Sequence, residues 1–165
     1  MSERIYNMLF LCTGNSARSI LAESLLNHMG SGRFRAFSAG SHPSGQVNPL
    51  VLEYLRHKNM PVEGARSKAW DEFALPGAPA LDFVVTVCDQ AAGEVCPVWP
   101  GQPISAHWGV DDPARYMDDP DTARRIIREV FLILQKRIQL FLSLPFAKLD
   151  RLALQSAARD IGRDG

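Results

Sequence analysis

Apolar positions along the chain switch between two spacings. Met8-Leu9-Phe10-Leu11 is a short continuous apolar run ending at Cys12, as in a parallel strand buried on both faces. Arg18 then opens a segment in which Leu21, Leu25 and Met29 fall on one helical face, closed by Gly30. Phe34 to Ser38 reads as a second strand, and Asn48-Pro49 supplies the N-cap and first-turn proline of a helix carrying Val51, Leu52 and Leu55. Ser67 to Phe73 predicts a short helix and Leu75 to Pro79 a loop. Asp82 to Cys88 is the clearest buried strand, with Ile104 to Trp108 as a fourth. Asp119-Pro120 starts a long helix whose Ala123, Ile126, Ile127, Val130, Phe131, Leu134, Ile138 and Phe141 keep helical spacing up to Pro145. A last helix is expected over Ala147 to Ile161. The order β-α-β-α-β-β-α, without repeats or low-complexity stretches, predicts a doubly wound α/β sheet, in which sites gather at the carboxyl ends of the strands.

The junction between the first strand and first helix carries the chemistry. In Cys12-Thr13-Gly14-Asn15-Ser16-Ala17-Arg18-Ser19 a nucleophile is joined to an anion clamp by a loop rich in backbone donors. Unpaired N–H groups and the positive end of the helix dipole favour a tetrahedral anion held by Thr13, Gly14, Asn15, Ser16, Ala17 and Arg18. The same field predicts a lowered pKa for the Cys12 thiol, and the Ser19 hydroxyl can donate to the thiolate. Arg18 matches two oxygens of a phosphate-like oxyanion with a planar fork that Lys lacks. Gly14 and Asn15 suit a loop needing positive φ. The blander account, a buried Cys ending a strand beside a solvated Arg, leaves the loop composition unexplained.

Composition narrows the picture further. The 165 residues are 46% hydrophobic, sufficient for the core of one compact domain. Lys plus Arg and Asp plus Glu both number 18, so anion binding must be local, and no nucleic-acid or polyanionic-membrane partner is indicated. The only early apolar run, Met8 to Cys12, is too short for a signal-peptide core, and no segment approaches a membrane span; the expected location is the cytoplasm. Three cysteines in a reducing compartment then argue for catalytic, redox or metal duties over a disulfide framework.

The sheet rule gathers the scattered candidates. Cys12 ends the first strand, Cys88 the third, and Asp111-Asp112-Pro113 follows the fourth. An Asp in a proline-stiffened loop above a thiolate can protonate a leaving oxygen, and Asp112, directly before Pro113, is the choice over Asp111. Turn chemistry alone also accounts for Asp-Asp-Pro. His107 and Trp108 read as edge or core packing, and His28, His42 and His57 as surface residues. A zinc site from Cys88, Cys96 and His107 lacks paired short spacing.

These residues resemble the low-molecular-weight protein tyrosine phosphatase superfamily. The Cys12 to Ser19 loop, Val85-Thr86-Val87-Cys88, Cys96-Pro97 and His107-Trp108-Gly109-Val110-Asp111-Asp112-Pro113 are similar to its arsenate reductases of the thioredoxin-coupled type. The likeness spans about Met8 to Leu142. It implies a four-stranded parallel sheet with helices on both faces, in one domain over 1–165 with 145–165 as a C-terminal helical extension. It also implies reduction of arsenate to arsenite through a Cys12–Cys88–Cys96 relay, with no resident cofactor and thioredoxin as the external thiol reductant and partner. Asn15, Ser19 and Ser38 are the expected support of thiolate and loop. Asp89 to Val95 reads as a short helix or turn able to rearrange so that the cysteines meet, since a disulfide needs Cα atoms within roughly 7 Å.

The chain departs from the pattern in two places. Ala17 stands where some relatives carry another Cys, which leaves the relay intact. Lys68 stands near where some members have an acidic residue beside a monovalent cation, which leaves two readings: its ammonium takes that ion's space, or it is a solvated lysine at a helix start. The extension after Pro145 is expected to pack Leu149, Leu152 and Ile161 on the domain. Two other functions fit part of the pattern. A protein tyrosine phosphatase needs only Cys12, Arg18 and Asp112, but Ala114 stands where such enzymes tend to place a pocket aromatic, leaving Tyr116 as the nearby candidate. A non-enzymatic redox or arsenic sensor would retain arsenite without turnover.

Overall fold

The computed structural model describes residues 4–62, 64–88 and 102–164. Cys96 and the Asp89 to Val95 stretch lie outside the described residues. The described elements are β1 (Tyr6–Cys12), α1 (Arg18–Met29), β2 (Phe34–Gly40), α2 (Pro49–His57), a 3-10 turn (Trp70–Ala74), β3 (Phe83–Thr86), β4 (Ile104–His107), a second 3-10 turn (Pro113–Tyr116), α3 (Pro120–Leu142), a third turn (Phe146–Lys148) and α4 (Arg151–Asp164). The four strands form one parallel sheet in the order β2-β1-β3-β4. β1 therefore lies inside, with Leu11 opposite Ala39 on one side and Thr86 on the other.

The pleat sorts β1 onto two faces. Met8, Phe10 and Cys12 join a large core with α1, α2, α3 and α4, while Leu9 and Leu11 pack with Ala39, Val84 and the turn residues Trp70 and Phe73. Phe141 on α3 anchors the larger core, its ring centroid 5.1 Å from Phe83, 5.2 Å from Phe146, 5.4 Å from Phe34 and 5.7 Å from Trp108. Asn48 caps α2 by accepting from Leu50 N at 2.9 Å, as its Asn-Pro signature predicts.

Element boundaries moved where tertiary pairing outweighed local pattern. β1 starts at Tyr6 because Tyr6 and Asn7 find register partners in Phe34 and Arg35. β3 and β4 end earlier than their apolar runs, at Thr86 and His107, although Val87 N still donates to the Leu11 carbonyl and Trp108 N to the Thr86 carbonyl. The helix expected over Ser67 to Phe73 is a shorter 3-10 turn. Its first residues are held extended instead: the Lys68 carbonyl accepts from Gly40 N at 2.9 Å, and Ala69 bridges Gly40 as a parallel partner. The helix expected over Ala147 to Ile161 is two elements, since Asp150 Oδ1 accepts from Ala153 N at 2.8 Å and starts α4 afresh.

α4 packs against β4. Leu154, Ala158 and Ile161 are buried, and Trp108, fully buried, donates from Nε1 to the Ala158 carbonyl at 2.9 Å. Leu149 packs on the core as expected, but Leu152 does not, being 77% exposed. Gly162 permits the contact: a Cβ there would lie 2.0 Å from the His107 carbonyl oxygen and 2.8 Å from Trp108 Cδ1. Gly162→Ala is expected to cost on the order of 2 kcal/mol, roughly 4–8 °C in Tm, by lifting α4 from β4. A calorimetric Tm equal to that of the unsubstituted chain would refute this packing.

Candidate active site

The Cys12 to Ala17 loop is shaped by where its carbonyl groups go. Cys12 O accepts from Ser41 N at 3.3 Å, Thr13 O from His42 N at 2.9 Å, Gly14 O from Ser44 N at 3.0 Å, and Ser16 O from Asn48 N at 2.9 Å. Ser67 Oγ adds a second donor to Gly14 O at 3.0 Å. With its carbonyls turned outward onto residues 41–48, the loop presents its N–H groups inward. Asn15, at φ 47°, supplies the left-handed residue; Gly14 does not adopt the positive φ expected of it. Gly40 admits the loop, since a Cβ there would sit 2.4 Å from Thr13 O. The start of α1 has no side-chain cap and no acidic residue in its first turn, so no carboxylate competes for its dipole.

Cys12 ends β1 inside this cradle, almost fully buried. Ser19 Oγ lies 2.9 Å from its sulfur and itself accepts from Asn15 Nδ2 at 2.8 Å, which leaves the hydroxyl proton for the thiolate. Asn15 N donates to the sulfur at 3.1 Å. Burial nevertheless dominates: it pushes the Cys12 thiol above its ordinary value, opposed by the Ser19 hydroxyl, the Ser19 backbone, Arg18 and the Asn15 backbone. The direction is thus opposite to the lowered thiol expected from the motif. Asn15 is fixed in turn by Lys68 N, which donates to its Oδ1 at 2.8 Å.

Opposite the cradle, Arg18, Cys88, Gly109, Val110, Asp111, Asp112 and Arg115 line a cavity of about 460 Å³. Arg18 Nη2 lies 3.2 Å from Asp112 Oδ2, and Nη1 donates to the Val110 carbonyl at 3.4 Å. Asp112 Oδ1 accepts from Ala114 N, while Asp111 is engaged by Tyr116 Oη at 2.8 Å and Arg115 at 3.7 Å. The two aspartates are therefore distinguished: Asp112 faces Arg18 and Asp111 faces the turn behind. Tyr116 bonds Asp111 and does not line the cavity, and Ala114 is exposed. Cys88 Sγ lies 3.4 Å from Thr13 Oγ1, one residue from the nucleophile.

Ser38 supports the site differently from expectation, donating to Glu23 Oε1 at 2.7 Å on α1. Burial raises the Glu23 carboxyl above its usual range and lowers the Lys68 ammonium, while the two charges act against those shifts. Lys68 Nζ donates to the Arg66 carbonyl at 2.9 Å. His107 lies at the sheet edge, its Nδ1 2.7 Å from Thr86 Oγ1, and His28, His42 and His57 are exposed. Gly40, Ser67, Glu23 and Val110 escaped the sequence reading, because their roles depend on strand pairing and loop return; only the Ser67-Lys68 neighbourhood carried a signal. Among the described residues no group of three or more His, Cys, Asp or Glu side chains is arranged for a metal, and no helix is long and apolar enough to cross a membrane.

Ser19 exerts the largest downward pull on the thiol. Ser19→Ala should therefore raise the Cys12 pKa further, slow its alkylation by iodoacetamide at neutral pH, and move the alkylation–pH profile to higher pH. An unmoved profile would remove Ser19 from the thiolate's support.

The pattern of the family described as low molecular weight phosphotyrosine protein phosphatase matches residues 7–152. An arsenate reductase of Halalkalibacterium halodurans is 35% identical over 132 residues, covering 80% of this chain and 91% of its own. One of Bacillus subtilis is 37% identical over 106 residues, 64% of this chain and 73% of its own. Among solved structures, the arsenate reductase of Archaeoglobus fulgidus superimposes with a TM-score of 0.60 at 29% identity, over 80% of this chain and 98% of that one. The thioredoxin-dependent arsenate reductase of Corynebacterium glutamicum gives 0.54 at 31% identity, over 82% of this chain and 62% of that one.

Proposed function

The chain belongs to the low molecular weight phosphotyrosine protein phosphatase family, and within it we propose that this member is an arsenate reductase working through a thiol relay. One observation carries the reading beyond the family fold: a second thiol, Cys88, lines the cavity with Arg18 and Asp112 and lies 3.4 Å from Thr13 Oγ1 beside the nucleophile. Phosphoester hydrolysis needs no such group, whereas disulfide exchange needs a thiol there.

Arsenate enters the cradle, and Arg18 exchanges the Asp112 carboxylate for two substrate oxygens. Burial holds the Cys12 thiol above its ordinary pKa, and it gives up its proton as the sulfur attacks the arsenic of a monoprotonated dianion. Asp112, freed from Arg18 as a carboxylate, takes that proton and passes it to the departing hydroxyl, which leaves as water and yields a Cys12–arsenic adduct. Cys88 then attacks the Cys12 sulfur. The sulfur–arsenic bond breaks, its electron pair passes to arsenic, and arsenite leaves as the Cys12–Cys88 disulfide forms. Cys96 attacks Cys88, releasing Cys12 as a thiolate, and an external dithiol of the thioredoxin type reduces the Cys88–Cys96 disulfide. The same thiols leave no step for a resident cofactor.

Mass spectrometry after a single turnover tests the relay. Cys88→Ser should release no arsenite yet still hydrolyse a phosphotyrosine mimic, because water can resolve a phosphocysteine. Cys96→Ser should complete about one turnover and accumulate a Cys12–Cys88 disulfide. Arsenate turnover by either variant at the unsubstituted rate would overturn the proposal in favour of the phosphatase.

Lys68 joins this reading as the occupant of a cation's place. It is buried within the Coulomb field of Glu23, and its backbone holds Asn15. Arsenate reduction should then be indifferent to potassium between its absence and 0.1 M at constant ionic strength, on the order of the salt range over which surface charge is screened. Clear activation by potassium would reject that role.

A further inference from the structure

Arg137 is an unusual side chain for its position. It lies on the inner face of α3 between Leu134, Ile138 and Phe141, with only 5% of its surface exposed. Guanidinium groups are rarely buried without a carboxylate. Among the described residues Arg137 forms no ion pair, and its buried Nε has no hydrogen-bond partner. Among the described residues its one hydrogen bond runs from Nη1 to the Gly109 carbonyl at 3.0 Å. Burial accordingly pushes its pKa below the ordinary arginine value, with no neighbour pulling it back.

Gly109 belongs to the wall of the cavity that Arg18 and Asp112 line. The peptide it shares with Val110 is pinned from both ends, since Val110 N donates to the Val87 carbonyl at 3.1 Å. The next carbonyl, Val110 O, accepts from Arg18 Nη1. Arg137 is thus two peptide groups behind the guanidinium that grips the substrate. A cation buried there without a counter-ion is a standing cost to the fold, and replacing such a group by an apolar one is often neutral or stabilising. A purely structural donor to Gly109 needs no charge.

We propose that Arg137 is a positioning residue for oxyanion capture, which holds the Gly109–Val110 peptide behind Arg18 and leaves its own positive charge to be balanced by the bound oxyanion. The low dielectric of α3's inner face keeps that charge unscreened, unlike the exposed Arg115 at the cavity mouth. The inference rests on the oxyanion site proposed above and assigns part of its affinity to a residue outside the Cys12 to Ser19 loop.

Three substitutions separate the charge from the hydrogen bond. R137M removes both, R137Q keeps a donor for Gly109, and R137K keeps a donor and the charge. Binding of inorganic phosphate to the reduced, full-length chain is measured by calorimetry, together with KM and kcat for arsenate. R137M and R137Q are expected to bind phosphate about tenfold more weakly, with KM raised in proportion and kcat within about twofold, while R137K stays near the unsubstituted value. Phosphate affinity in R137Q equal to that of the unsubstituted chain, or R137K as weak as R137Q, overturns the role of the charge. Should R137M fail to fold, the Gln and Lys variants carry the comparison alone. If the unsubstituted chain itself binds no phosphate, the oxyanion site fails; if it binds and R137Q matches it, only the role of Arg137 fails.

Discussion

The outward turn of four carbonyl groups governs this molecule. Residues 41–48 and Ser67 take the carbonyls of Cys12, Thr13, Gly14 and Ser16, which keeps those carbonyls off the Cys12 sulfur and leaves Asn15 N to donate to it. An isolated peptide of the same sequence would satisfy both sets of groups with water. The parallel pairing of β1 with β2 brings the accepting segment alongside, and Gly40, opposite Cys12 in register, leaves room for it. The shape of the loop is in this sense a consequence of strand register, and Arg18 stands at the end of a cradle that backbone geometry has already formed.

Buried polar chemistry is spent in one place. The polar or charged residues buried among the described ones are Asn15, Ser19, Ser38, Asn48, Lys68 and Arg137. Asn15 and Ser19 reach the sulfur, Ser38 holds Glu23 on α1, Asn48 closes the loop on Ser16, Lys68 fixes Asn15, and Arg137 holds the cavity wall. The remaining core is aliphatic and aromatic around Phe141. Desolvating these six groups opposes folding, and the apolar core on both sheet faces offsets it.

Much of this was legible in the chain before any fold was known. Strand and helix order followed from apolar spacing, and the Cys12 to Ser19 motif located the cradle because its residue types have few other uses together. The departures share a cause. Ser67 and Lys68 carry a helical pattern yet lie extended, because Gly40 N and the Asn15 side chain offer the Lys68 backbone partners that local sequence does not reveal. Burial likewise reversed the expected direction of the Cys12 pKa, since the motif specifies the donors around the sulfur but not how far the sheet excludes water from it. Arg137 is illegible from sequence because an Arg on the apolar face of a helix ordinarily reaches out to solvent with its charge.

The layout of the contacts also divides the site by chain position. The cradle, from Cys12 through the carbonyl-accepting segment ending at Asn48, is one contiguous β-α-β stretch, with Ser67 and Lys68 as a later buttress. The second thiol and the acid, Cys88 and Asp112, arrive from strands beyond it. Loop and cavity wall are thereby separable units of inheritance: the later strands can be rewritten residue by residue, while the first third of the chain keeps the hydrogen bonds that shape the Cys12 to Ala17 loop.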